Sequence, residues 1–131
     1  MASIFSKIIA GEIPSYKIAE TEDFLAFLDV FPLMEGHTLV VPKKEIDNIL
    51  DLSPEIYTSL FSFTQQIGKA IEAAIPCKKV GIAVVGLEVP HAHIHLVPIN
   101  SADDINFTRT KISLKKEQFE AIQKTIISKL N

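Results

Sequence analysis

His91-Ala92-His93-Ile94-His95-Leu96-Val97 is the stretch on which the reading of this chain turns. Three of the four histidines stand at every second position, with Ala92, Ile94 and Leu96 between them or just after. Alternation with a period of two marks a β-strand, whose successive side chains point to opposite faces. The spacing predicts that the three imidazoles share one face while Ala92, Ile94 and Leu96 turn into the core. Three polar rings in a row are a poor way to fill a core, so the row is expected to do chemistry. A neutral imidazole, with an ordinary pKa of about 6.5, is both a nucleophile and a metal ligand near pH 7. One ring can attack phosphorus while its neighbours donate to the phosphoryl oxygens. The competing reading is a zinc-type site. No cysteine or obvious carboxylate partner lies nearby, Glu88 being the nearest acid, and this favours phosphoryl chemistry.

Working outward, His93 to Ile99 and Val80 to Val85 read as two neighbouring strands. Upstream, Ser53 is a good N-cap, Pro54 suits the first helical position and Glu55 the first turn. Ile56, Leu60, Phe63, Ile67, Ile71 and Ala74 then form a helical stripe that Pro76 ends. Earlier still, Tyr16 to Ala19 and Phe24 to Val30 read as strands about the polar turn Glu20-Thr21-Glu22-Asp23. A loop over Phe31 to Gly36 leads to a third early strand, His37 to Val41, stopped by Pro42. Ser3 to Ala10 reads as a short helix closed by Gly11 and Pro14. At the far end Leu114, Phe119, Ile122, Ile126 and Leu130 describe an amphipathic helix with Ser113 as its cap. Strands then helix, twice over, argues for an α+β fold with an antiparallel sheet and the helices on one face.

The chain has 131 residues, 47% hydrophobic and 22% charged, as expected for one globular domain over 1–131. A net charge of −3 supplies no basic field for nucleic acid. The single cysteine, Cys77, excludes an internal disulfide and fits a reducing compartment. The N-terminal residues do not read as a signal peptide, and no apolar run approaches the ~20 residues that span a bilayer. A cytoplasmic location with no membrane partner is expected.

With these elements in place, the chain resembles the histidine-triad (HIT) superfamily, whose signature alternates three histidines with apolar residues as His91 to Val97 do. Ile4-Phe5-Ser6-Lys7-Ile8-Ile9 with Glu12-Ile13-Pro14 is similar to the start of its Hint branch. Phe27-Leu28-Asp29-Val30 and Gly36-His37-Thr38-Leu39-Val40-Val41-Pro42-Lys43 look like its next two strands. The resemblance implies a five-stranded antiparallel sheet, a long central helix, a C-terminal helix, and a homodimer with two sheets joined side by side. It implies that His93 is the nucleophile that forms a nucleotidyl-histidine intermediate and that His95 contacts the phosphoryl oxygens. His91 would orient His93 through its backbone carbonyl, and His37 would support the network. Asp29 would accept hydrogen bonds from ribose hydroxyls; Phe5, Ile8, Phe27, Leu28 and Val30 would form the base pocket; and Gly86 would belong to the phosphate loop. An apolar slot of that kind grips a purine face but reads its edge poorly. Lys43 and Lys44 are further candidates for attracting phosphate.

The chain also departs from the family pattern. An Asn and a glycine-rich Gly-Gln-x-Val loop usually precede the triad, and here Ala83 to Pro90 replaces them. Gly86 remains, Leu87 stands at the common Gln, and Glu88 stands where the Hint branch carries a Ser. Some relatives bind structural zinc through an N-terminal Cys-x-x-Cys; Ser3 and Ser6 occupy those positions, so no structural metal and no cofactor are expected. The implied reaction is hydrolysis or transfer at the α-phosphate of a purine nucleoside monophosphate derivative such as a phosphoramidate. Dinucleoside polyphosphate hydrolysis, a non-catalytic nucleotide-binding module and a metal-dependent hydrolase are the alternatives.

Overall fold

Helix α1 (Ile4–Ile9) begins where Ser3 caps it, its Oγ accepting the Ser6 N–H at 3.0 Å, and ends before Gly11, whose φ of +80° suits glycine. The computed structural model describes residues 2–130, so Met1 and Asn131, the ends of the expected unit, lie outside the described residues. Strands β1 (Lys17–Glu20), β2 (Phe24–Leu28) and β3 (Thr38–Pro42) then form an antiparallel meander. Helix α2 (Pro54–Ala74) crosses over to β4 (Lys79–Ala83), and β5 (Ile94–Ile99) returns between β4 and β3. The result is a five-stranded, wholly antiparallel sheet in the order β1-β2-β3-β5-β4, followed by α3 (Lys116–Ile127). Two single turns of 3-10 helix, Ile49–Asp51 and Ala102–Ile105, lie in the connections.

The α+β expectation is met, and the sheet sorts its side chains by the strand period. From β2 the residues Phe24, Ala26 and Leu28, and from the β5 region Ala92, Ile94 and Leu96, join the core built by Leu60, Phe63, Ile67 and Ile71 of α2 and Phe119, Ile122 and Ile126 of α3. Leu25, Phe27, Leu39 and Val41 point the other way and pack with Phe5. Helix α1 therefore covers the opposite face from α2 and α3. This corrects the expectation that the helices share one face.

Local chemistry also moves several boundaries. Strand β2 stops at Leu28, short of Val30, because Asp29 Oδ1 accepts the Phe31 N–H at 2.9 Å and turns the chain. Strand β4 stops at Ala83, and Val84 and Val85 are exposed loop residues. Strand β5 begins only at Ile94, since the His91 N–H bonds the Val89 carbonyl and the Ala92 N–H bonds the Ile46 carbonyl. The alternation nonetheless continues through His91 to His93 without a sheet ladder. At the C-terminal helix the cap is Lys115 rather than Ser113, because the Gln118 side chain accepts the Lys115 N–H at 2.8 Å; Leu114 packs on the core ahead of the helix.

The turn that delivers His37 depends on Gly36, which has a φ of +92°. A Cβ there would meet Ile75 Cγ1 at 3.0 Å and Pro98 Cγ at 3.2 Å. Left-handed geometry alone costs a non-glycine residue about 1–2 kcal/mol. Gly36→Ala is expected to lower stability by at least that amount in urea unfolding; an unchanged midpoint would contradict the crowding described.

Candidate active site

Backbone groups dictate the protonation of every ring in the histidine cluster. The Leu33 N–H donates to His37 Nδ1 at 2.9 Å, and an amide can only donate, so that nitrogen carries no proton. The neutral His37 ring must then hold its proton on Nε2, which lies 2.9 Å from His95 Nδ1 and donates to it. His95 is left with its own proton on Nε2. At His93 the logic runs in reverse: Nδ1 lies 2.8 Å from the His91 carbonyl, which can only accept, so Nδ1 holds the proton and Nε2 keeps a free lone pair. Its own ring proton His91 gives from Nε2 to the Pro42 carbonyl at 2.7 Å. Among the described residues, His93 Nε2 and His95 Nε2 have no protein partner. Two adjacent rings, 4.9 Å apart between centroids, thus offer one lone pair and one N–H.

All four histidines are buried, and in His37, His93 and His95 burial is the first cause of a lowered proton affinity. The His37 ring is pushed down to about 3, first by burial and then by His95, Lys111 and His93. In His95 burial, followed by His93 and Lys111, lowers the value to about 4. Burial also lowers His93, against the hydrogen bond to His91 that acts in the opposite direction. His37, His93 and His95 are all biased toward the neutral form that a nucleophilic imidazole requires. Asp29 lies beside it, with Oδ2 3.6 Å from His37 Nε2. With His37 neutral this is no ion pair, and burial raises Asp29 to about 6 despite the Phe31 N–H and Lys111.

Aromatic edges hold the rings. Phe5 meets His93 at 4.8 Å between centroids in a T-shaped contact, and Phe27 packs on Phe5 at 5.8 Å. Ile8 packs on the same cluster. The base-pocket expectation places Leu28 wrongly: it follows Phe24 and Ala26 into the helix-side core, on the face away from His93. Val30 is 48% exposed past the end of β2 and joins no cluster. Gly86, at a φ of +67°, lines a cavity of about 270 Å³ together with His93, Asp47 and Asn48. Leu87 and Glu88 in the departing loop are exposed. The Lys43 ammonium is held by Glu20 at 2.8 Å and does not reach the cluster.

Sequence reading missed the groups that hold the rings. Leu33 and Pro42 act through backbone atoms, which no side-chain pattern records. Phe107 sets its edge against His95 at 4.6 Å from an irregular segment without periodicity. Ser3 reads in sequence only as the start of the first helix and the site of an absent cysteine, and its bond to His91 Nδ1 at 2.8 Å spans 88 residues.

Asp29, His37 and His95 bring three potential ligand atoms within 4.8 Å of one another. The donor set does not suit a cation. A metal on His37 Nε2 would drive that ring's proton to Nδ1, where it would confront the Leu33 N–H. Ser3 and Ser6 are neutral hydroxyls already bonded to His91 and Glu45, and they fit zinc no better.

The lowered ring values tie stability to pH. Between about 3 and 6.5 the unfolded chain protonates His37 while the folded chain refuses, so stability falls as pH drops below 6.5. His95 adds to this effect down to about 4. Asp29 opposes it, since its raised value makes the fold lose stability as pH rises from about 4 to 6. Two rings against one carboxyl leave a net loss on acidification, at about 1.4 kcal/mol per pH unit for each net proton. Thermal unfolding followed from pH 8 to pH 5 is expected to show Tm falling below pH 6.5, more steeply in Asp29→Asn. A flat Tm would mean that the rings are not held neutral.

Comparison with known proteins agrees with this geometry. Residues 10–102 match the HIT domain family. An uncharacterized HIT-like protein of Borreliella burgdorferi is 34% identical over 131 residues, covering 94% of each chain. The adenosine 5'-monophosphoramidase HNT1 of Saccharomyces cerevisiae is 37% identical over 98 residues, 74% of this chain and 62% of that one. The crystal structure of a Hit-like protein involved in cell-cycle regulation from Bartonella henselae superposes with a TM-score of 0.84 at 32% identity, over 98% of this chain and 96% of that one. Among the described residues no helix is long and apolar enough to cross a membrane. With the triad, the sheet order and the matched residues in agreement, the chain belongs to the HIT domain family.

Proposed function

We propose that this protein hydrolyses a purine nucleoside monophosphate derivative at its α-phosphorus, with a phosphoramidate as the preferred class and His93 as the nucleophile. The observation that carries the reading is the 2.8 Å bond from His93 Nδ1–H to the His91 carbonyl, which leaves Nε2 neutral, unprotonated and without a protein partner. Support comes from the similarity to a yeast phosphoramidase. In the first step Nε2 forms a bond to phosphorus while the phosphorus–nitrogen bond of the substrate breaks. The amine leaves after taking a proton from water. The hydroxide left by that proton transfer then attacks the nucleotidyl-histidine, the phosphorus–Nε2 bond breaks to release neutral His93, and the nucleoside monophosphate carries away the added oxygen and its hydrogen. His95 Nε2–H donates to the phosphoryl oxygen where charge gathers. Asp29, ionised above about 6, accepts from the ribose hydroxyls, and Phe5, Ile8 and Phe27 receive the base. Fixing nucleophile and phosphorus in one site supplies up to roughly 7–11 kcal/mol of the barrier lowering.

The same reading includes a cytoplasmic homodimer. Strand β4 is an edge of the sheet, and its Ile82 is 57% exposed. An apolar, unpaired edge suits pairing with a second copy. Sedimentation at a mass near twice that of the chain is expected.

The decisive measurement is mass spectrometry of protein quenched during turnover of an adenosine phosphoramidate. An adenylyl adduct on His93 is expected. His93→Ala should lose turnover by at least a hundredfold while retaining AMP binding within a few-fold. Binding without any adduct would instead indicate a non-catalytic nucleotide-binding module. Faster turnover of diadenosine polyphosphates than of the phosphoramidate would move the substrate class.

A further inference from the structure

The His91–His93 segment lies outside the sheet ladder, so something other than strand pairing must hold the carbonyl on which His93 depends. Three groups from the end of β3 and the loop that follows it close around the segment. The Pro42 carbonyl takes the His91 ring proton at 2.7 Å, the Ile46 carbonyl takes the Ala92 N–H at 2.7 Å, and Glu45 reaches across to α1. One oxygen, Glu45 Oε1, accepts the Ser3 N–H at 2.6 Å and the Ser6 hydroxyl at 2.7 Å. Ser3 Oγ already accepts the Ser6 N–H, and its single proton points to His91 Nδ1 at 2.8 Å. The Pro42 carbonyl can only accept, so the His91 proton sits on Nε2 and Nδ1 is left to accept. The Ser3 hydroxyl at 2.8 Å is its nearest donor, with the Ser6 hydroxyl farther off at 3.5 Å from that nitrogen and 3.4 Å from Ser3 Oγ.

We propose that Ser3 and Glu45 are positioning residues that lock the tautomer and orientation of His91, and through its carbonyl the attacking face of His93. The inference rests on the reading of His93 as nucleophile. Its structural consequence is a link between two parts of the site. Ser3 caps the same helix that carries Phe5, and Phe5 lies against His93. The wall that receives the base and the ring that attacks phosphorus are thereby held in register by one hydroxyl. Removing that hydroxyl leaves His91 Nδ1, in a fully buried ring, with only the Ser6 hydroxyl at 3.5 Å, a bond too long to replace the one lost unless the ring or the helix end shifts.

The test compares Ser3→Ala, Ser3→Thr and Glu45→Ala with the natural protein. Two readouts are used: steady-state kinetics on an adenosine phosphoramidate, and long-range proton–nitrogen spectra of the histidine rings. The natural protein is expected to show His91 as the pure Nε2–H tautomer and His93 as the pure Nδ1–H tautomer. Ser3→Ala should lower kcat roughly tenfold to a hundredfold, as misplaced catalytic groups do, with a smaller change in KM. It should also shift the His91 and His93 ring signals, and Ser3→Thr, which keeps the hydroxyl, should restore both. Glu45 is exposed, so Glu45→Ala keeps the fold if Ser3→Ala does not, and it should show the same changes to a lesser degree. Ring signals unchanged in the folded variants overturn the proposal, as do shifted signals with undiminished kcat. A natural protein that turns over nothing would sink the hydrolase reading, and the ring spectra would still decide whether Ser3 holds His91.

Discussion

A single peptide carbonyl governs the chemistry of this site. The His91 carbonyl takes the Nδ1 proton of His93 at 2.8 Å and so decides which nitrogen of that ring has a lone pair to give. Imidazole is symmetric enough that nothing intrinsic settles this choice. Burial settles a second question, by lowering the affinity of the rings for a proton so that the lone pair stays free near neutral pH. Orientation comes from a hydrogen bond and charge from desolvation, and neither suffices alone. A solvated ring with the right tautomer would protonate in mild acid, and a buried ring with the wrong one would present an N–H to phosphorus.

The fold serves this arrangement by keeping its two faces unequal. Helices α2 and α3 fill one side of the sheet with a continuous apolar core. The other side carries only the six-residue α1, leaving room beside Phe27 and Leu39 for polar rings. His95 lies within the β3–β5–β4 ladder, opposite Leu39 and Ala83, and is as rigid as the sheet. His93 lies one residue before the ladder begins, where the backbone is held by a loop and a helix cap instead. The proposed nucleophile sits at the sheet's margin and the ring proposed to hold the phosphoryl oxygen lies within it. That division gives His93 access to the cavity at Gly86 without breaking any strand pairing.

Sequence carried the repeating features well and the singular ones poorly. The period-two placement of His91, His93 and His95 was legible because alternation fixes the side of a chain even where no ladder forms, as Ala92, Ile94 and Leu96 show. The α2 stripe was legible for the same reason, at the helical period. Leu28 shows the limit of a resemblance read segment by segment. It sits beside Phe27 in sequence, but one residue along a strand is the opposite face, and the strand period overrides proximity. Val30 differs from Leu28 in lying beyond β2, where the turn made by Asp29 leaves it half exposed. The supports of the rings were hidden because they are backbone atoms of Leu33 and Pro42, brought in by tertiary structure.

The replaced loop bears on the substrate of the proposed reaction more than on the ring network. Leu87 and Glu88 are exposed, so the substitution leaves the ring network untouched. What changes is the chemistry of the loop just after Gly86, the last residue of that loop to line the cavity beside His93. A side-chain amide and a hydroxyl are donors for a phosphate or a leaving group, whereas a leucine and a carboxylate offer neither a proton nor a positive charge. Asp47 adds a second carboxylate to the cavity beside His93. A departing polyphosphate entering there would meet negative charge without a cation to offset it, at a Coulombic cost that a departing amine does not incur. On the proposed reading, the loop that departs from the family pattern would favour a neutral or cationic leaving group, and the burden of charge stabilisation would fall to His95.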